Sequence, residues 1–146
     1  MNCVKQYAGS SFEETLEHAP SYSDGWSYYA DAPDKFGYIS NATDSVLVFD
    51  IPHESGAVNQ WLFVKFLRSW SPEWGKAMVW LGTENINRRL TFKPTAVIDS
   101  HCKEASQIDF VKLELDSSSD EPYKVRIKNV GGKVKILEVL IYSCEK

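Results

Sequence analysis

Histidine and cysteine are scarce, with three of each among 146 residues. His18, His53 and His101 fall in separate polar loops, and no serine lies in a G-x-S-x-G elbow, so a nucleophile–histidine triad has no sequence support. Cys3, Cys102 and Cys144 lack C-x-x-C spacing and cannot build a zinc site alone. They are either three thiols, or one thiol plus one disulfide, Cys102–Cys144 or Cys3–Cys144. No window approaches the roughly 18 consecutive apolar residues of a membrane span, so no membrane partner is expected. The opening Met-Asn-Cys-Val-Lys-Gln has no charged-then-apolar leader. The expected location is therefore inside the cell, or outside it if the sequence is a domain excised from a longer chain. Long helical periodicity is missing too. The one candidate is residues 12–18, one or two turns capped by Ser10 or Ser11 and ended by Pro20. Concentrated positive charge is absent: the net charge is −4 with both signs interspersed. Lys124, Arg126, Lys128, Lys133 and Lys135 alternate with apolar residues, which makes one solvated strand face and not a phosphate track. Nucleic acid is not the expected partner.

What the sequence has in quantity is aromatic side chains, 13% of residues, including five Trp and seven Tyr. It also has short apolar or alternating runs separated by Gly, Pro, Asn and Asp. The chain centres on residues 61–81, WLFVKFLRSWSPEWGKAMVWL, where two apolar runs too short for buried helices flank a connection carrying Pro72 and Gly75. This reads as a β-hairpin with a longer loop. Further strands are expected over residues 26–30, 36–40 and 46–51, the last closed by Pro52. Others are expected over 89–92, ended by Pro94, and over 96–99. In residues 108–115, Ile108, Phe110, Lys112 and Glu114 share one side, and Asp109, Val111, Leu113 and Leu115 the other. Residues 123–128 alternate strictly, Gly131-Gly132 makes a turn, and residues 133–143 return as a long strand, a second expected hairpin. Roughly nine or ten strands without intervening helices imply an all-β fold: an antiparallel two-sheet β-sandwich of jelly-roll type, one domain over residues 1–146.

Two kinds of residue are candidates for a site. Trp70 and Trp74 flank Ser71-Pro72-Glu73 in the central connection. An indole at a loop tip either packs locally or offers a flat apolar face to a partner. Sugar rings present C–H faces that stack on such groups while neighbouring polar side chains bond their hydroxyls. Arg68, Trp26 and Tyr28 are the expected neighbours in such a site. Trp80 lies in an apolar strand and is read as core, and Trp61 fits either place. For metals, no EF-hand loop occurs. Among the loop carboxylates Asp24, Asp31, Asp34 and Asp44, the pair Asp31 and Asp34 is the candidate for a structural calcium ion. No other cofactor is implied. Glu13/Glu14, Asp31/Asp34 and Asp120/Glu121 are paired carboxylates in turns, where solvation explains them without catalysis. Asn41-Ala42-Thr43 fits the N-glycosylation pattern, which matters only on a secretory route.

The runs Lys35–Ser40, Val46–Phe49, Phe66–Trp70 and Gly75–Leu81, with the closing Tyr123–Cys144, resemble accessory β-sandwich domains found beside SGNH-type esterase domains. The closing strands look like those of galactose-binding-like jelly rolls. The resemblance spans about residues 26–144 and implies a jelly-roll fold, no catalytic activity of its own, carbohydrate as ligand, and a catalytic neighbour in a longer native chain. The SGNH catalytic blocks are absent, so no esterase activity carries over. The functional expectation is a non-catalytic carbohydrate-binding module. The alternatives are a structural or protein-interaction sandwich, oligomeric or virion-type, and a small jelly-roll hydrolase.

Overall fold

The computed structural model describes residues 4–9, 20–51, 57–84, 90–115 and 123–145. The expected helical turn at residues 12–18 lies outside these. Among the described residues the secondary structure is entirely β. The strands are β1 (Val4–Gly9), β2 (Tyr22–Asp24), β3 (Ser27–Ala30), β4 (Phe36–Ser40), β5 (Val46–Ile51), β6 (Ala57–Arg68), β7 (Lys76–Glu84), β8 (Leu90–Asp99), β9 (Gln107–Leu115), β10 (Tyr123–Gly131) and β11 (Val134–Glu145). They form two antiparallel sheets. One runs β3-β4-β11-β6-β9, with β1 also paired to β11, and the other runs β2-β5-β10-β7-β8. The all-β sandwich expected from the sequence is therefore the fold, with eleven strands among the described residues.

Alternation decides which side chains enter the space between the sheets. Leu62, Val64 and Phe66 of β6, Val139 and Ile141 of β11 and Leu113 of β9 face Leu47, Phe49 and Ile51 of β5 and Val125 and Ile127 of β10, all of them buried. Tyr38 meets Phe49 edge-on at 5.4 Å across the gap, the geometry that aromatic quadrupoles favour. Burial pushes the Tyr38 phenol up to about 12, and nearby Tyr28 adds to the shift, so it stays neutral.

Both expected hairpins are corrected. Runs 61–67 and 76–81 are strands β6 and β7, but they lie in different sheets, and so do β10 and β11. The chain crosses between layers at each connection. The polar groups of these connections bond to one another, not across a hairpin. Ser69 N–H donates to the Ser100 carbonyl (2.9 Å), Cys102 N–H to Ser69 (3.0 Å), Ser100 N–H to Gly75 (2.8 Å), and Lys133 N–H to Glu73 (2.7 Å). The β6–β7, β8–β9 and β10–β11 connections thus stack at one end of the sandwich. The Asn129 side chain ties in β4 by donating to the Ser40 and Gly132 carbonyls. Pro94 is also corrected. It does not end a strand; β8 passes through it at a register shift opposite Val79 and Trp80. β8 is an edge strand of its sheet, where proline is tolerated.

Candidate functional site

The stacked connections hold Trp70 and Trp74, and the structure separates them. Trp70 projects with 62% of its surface exposed. Trp74, four residues on, is only 8% exposed, with the Lys133 ammonium 4.7 Å above its ring. Trp26 is buried at the same end. Tyr28 packs on Tyr38 (4.8 Å) and Phe36 (5.8 Å). Arg68 is tied inward, to the His101 carbonyl (3.2 Å) and to Asp109 (3.5 Å). An open stacking pair of Trp70 and Trp74 is therefore corrected to one open indole, because the crossing between layers folds Trp74 under Lys133.

Asp31, the expected calcium ligand, is engaged by two lysines. Its carboxylate accepts hydrogen bonds from the Lys135 ammonium and from Lys133 (3.0 Å), so its charge is already answered by cations. Burial alone would push this carboxyl up. The Lys135 and Lys133 hydrogen bonds, with the attraction of both ammoniums, outweigh that and hold it below the usual carboxylate range. Asp34 stands exposed in the same turn at φ 59°. Among the described residues no three His, Cys, Asp or Glu side chains gather as a metal site. Cys102 is a free thiol, which removes the Cys102–Cys144 disulfide.

The outer face of the β3-β4-β11-β6-β9 sheet carries a larger constellation. Register sets its rows. Trp61 of β6 lies between Tyr142 of β11 and Glu114 of β9, Phe63 between Leu140 and Lys112, and Lys65 between Glu138 and Phe110. Phe110 is 55% exposed, and Ile108 and Tyr142 are exposed as well. Phe63 and Phe110 meet edge to face at 6.2 Å. The Lys112 ammonium lies 3.9 Å from the centre of the Trp61 ring and 5.9 Å from that of Phe63. Lys65 pairs with Glu138 at 3.6 Å. Beyond these rows the face dips into a recess of about 470 Å³, with Leu67, Ile108 and Leu137 among its lining and Phe36 at one wall. From Trp61 to Leu67 the face spans about 20 Å, at roughly 3.3 Å per residue.

Trp61, Phe63, Phe110, Lys112 and Tyr142 were not singled out as a group from the sequence. A signal was present: β6 is apolar at odd as well as even positions, so its second face had to be covered or exposed, and Phe110 shares a side with Lys112. The opposite sheet repeats the motif once, with the Arg126 guanidinium 5.6 Å from the Trp80 ring. Trp80 therefore lies on an outer face and not in the core.

The architecture is a jelly-roll β-sandwich, and solved carbohydrate-binding modules share it. A xylan-binding module of family 15 superposes with a TM-score of 0.55 at 13% identity over 86% of each chain. A family 35 carbohydrate-binding module from Clostridium thermocellum gives 0.52 at 11% identity, over 95% of this chain and 97% of that one. The C-terminal family 6 module of LamC, a marine laminarinase from Zobellia galactanivorans, gives 0.51 at 10%, over 85% and 93%. No protein-family model and no curated protein sequence matches the chain.

Proposed function

We propose that the protein is a non-catalytic carbohydrate-binding module whose platform is the outer face of the β3-β4-β11-β6-β9 sheet. The observation that carries this reading is the row of Trp61, Phe63, Phe110 and Tyr142, partly or fully open, on one rigid sheet face with Lys112 and Glu114 interleaved. Flat apolar rings fixed by strands take the C–H faces of sugars, and the interleaved charges take hydroxyls. The shared fold of modules named for xylan and other polysaccharides supports a polysaccharide as the ligand class. Trp70 adds an open indole at the loop end. Trp74 and Trp26 support that end from inside. A place beside a catalytic domain, the SGNH-type neighbour that the sequence resemblance implies, belongs to the same proposal.

Affinity electrophoresis against a polysaccharide panel tests it. Trp61→Ala and Phe110→Ala should each weaken binding about tenfold, the loss of roughly 1.4 kcal/mol of stacking. Trp70→Ala should weaken it less. Retained affinity in a folded Trp61→Ala, Phe110→Ala double variant would remove the platform.

One observation favours a second reading, an interaction sandwich. Ile108 and Phe110 are exposed on β9, which lies at the edge of its sheet. Light scattering showing a stable oligomer that Phe110→Lys dissolves, with no glycan bound, would select it.

A further inference from the structure

Resting on the platform reading, we infer that the polysaccharide recognised is acidic, carrying uronic acid residues, and that Lys112 is the residue that selects it. The Lys112 ammonium lies 3.9 Å from the centre of the Trp61 ring, and among the described residues no carboxylate stands within ion-pair distance of it. Its companions on the face are already matched or oppositely placed. Lys65 is neutralised by Glu138. Glu114 lies two residues along β9 and opposite Trp61, and it repels a ligand carboxylate toward the Phe63 side of Lys112.

This arrangement treats two classes of sugar differently. A neutral ring stacking on Trp61 must displace the ammonium from the indole face, losing the cation–π attraction and returning nothing of like kind. A uronate ring brings a carboxylate that receives the displaced ammonium in a charge-assisted hydrogen bond beside the ring, so stacking and ion pairing form together. Specificity is the difference between these two balances, and the neutral ligand carries the penalty. Two lysines of the opposite sheet are already paired. The basic row on the opposite sheet has Lys124 paired with Asp50 (2.7 Å) and Lys128 with Asp44 (3.2 Å).

The test compares uronate polymers (polygalacturonate, alginate and glucuronoxylan) with their carboxyl-reduced forms, using calorimetry on the full chain. At least one uronate polymer should bind ten or more times tighter than its reduced form. Lys112→Met should erase that ratio from both sides, weakening the acidic polymer and strengthening the neutral one, while Lys112→Arg keeps it. Circular dichroism checks that the variants remain folded; Lys112 is exposed, so folding is expected to survive. An unchanged ratio in Lys112→Met overturns the inference, as does tighter binding of the reduced polymers by the wild type. Equal binding of polyglutamate overturns it as well, since that would be attraction to charge alone. Neutral polysaccharides bound with no preference for acid would leave the platform standing and sink Lys112 as selector. No polysaccharide bound at all would sink both.

Discussion

Lys135 is a charged residue that the strand pattern placed on a solvated face, yet only 1% of it is exposed. Its stem runs over Gly37, where a Cβ would come within 2.9 Å of the Lys135 Cε, and its ammonium reaches Asp31 and the Lys35 carbonyl (2.7 Å). Burying an ammonium is tolerable only when it is paired and hydrogen-bonded. Removing the anion should therefore hurt more than removing the cation. Asp31→Asn leaves a buried charge poorly answered and should cost about 3 kcal/mol in urea denaturation. Lys135→Met should cost clearly less, because Asp31 keeps Lys133. The pH dependence has a fixed sign. The Asp31 carboxyl titrates below its ordinary value in the folded state, so its contribution is complete above the ordinary carboxylate pKa, about 3.9. It is lost as pH falls through the lower folded value. Asp31→Asn should flatten that acid limb of the stability curve.

Among elements, the interlayer connections do what hairpin turns would otherwise do. The β6–β7 and β10–β11 connections touch at Gly75 and Gly132, where the backbones come so close that only glycine fits. A Cβ on Gly75 would lie 1.7 Å from the Gly131 carbonyl oxygen, a backbone atom that cannot swing aside. Gly132 has φ +79°, a region that side chains disfavour, so the Gly-Gly pair is needed even though it closes no hairpin. Gly75→Ala should destabilise by about 2–3 kcal/mol, as overpacking does. It should also loosen the loop end that carries Trp70. Equal chemical denaturation midpoints for the variant and the wild type would contradict the close approach.

At the scale of the whole molecule, both sheets contribute to one core, so the described strands should unfold together. Phe49, buried against Tyr38 of the other sheet, is a suitable probe. Phe49→Ala should cost about 3–5 kcal/mol. Tryptophan fluorescence and far-ultraviolet circular dichroism should still move in one coincident transition, as two-state behaviour requires. Separate transitions would mean that the layers are independently stable. The same rigidity matters for recognition, since a platform set on strands loses little order when a ligand docks.

How much of this was legible follows from the range of each interaction. Alternation is local, with a period of two, so strands β4 and β5 could be bounded at Phe36–Ser40 and Val46–Ile51, and the inner and outer sides of β9 assigned, from sequence order alone. The two-layer fold followed, since strands with one apolar side and no helices must pack sheet on sheet. Partner choice is not local. Whether β6 pairs with β7, or crosses the gap to lie beside β11 and β9, depends on loop-to-loop hydrogen bonds between residues far apart in the chain, such as Ser69 with Ser100. The candidate site divides the same way. The sequence by itself determined that surplus aromatics had to be shared between core and surface. Only the tertiary structure decided which: it folded Trp74 beneath Lys133 and turned Asp31 to two lysines. It also set Trp61, Phe63, Phe110 and Lys112 side by side, because neighbours across a sheet are fixed by register between distant strands and not by proximity along the chain.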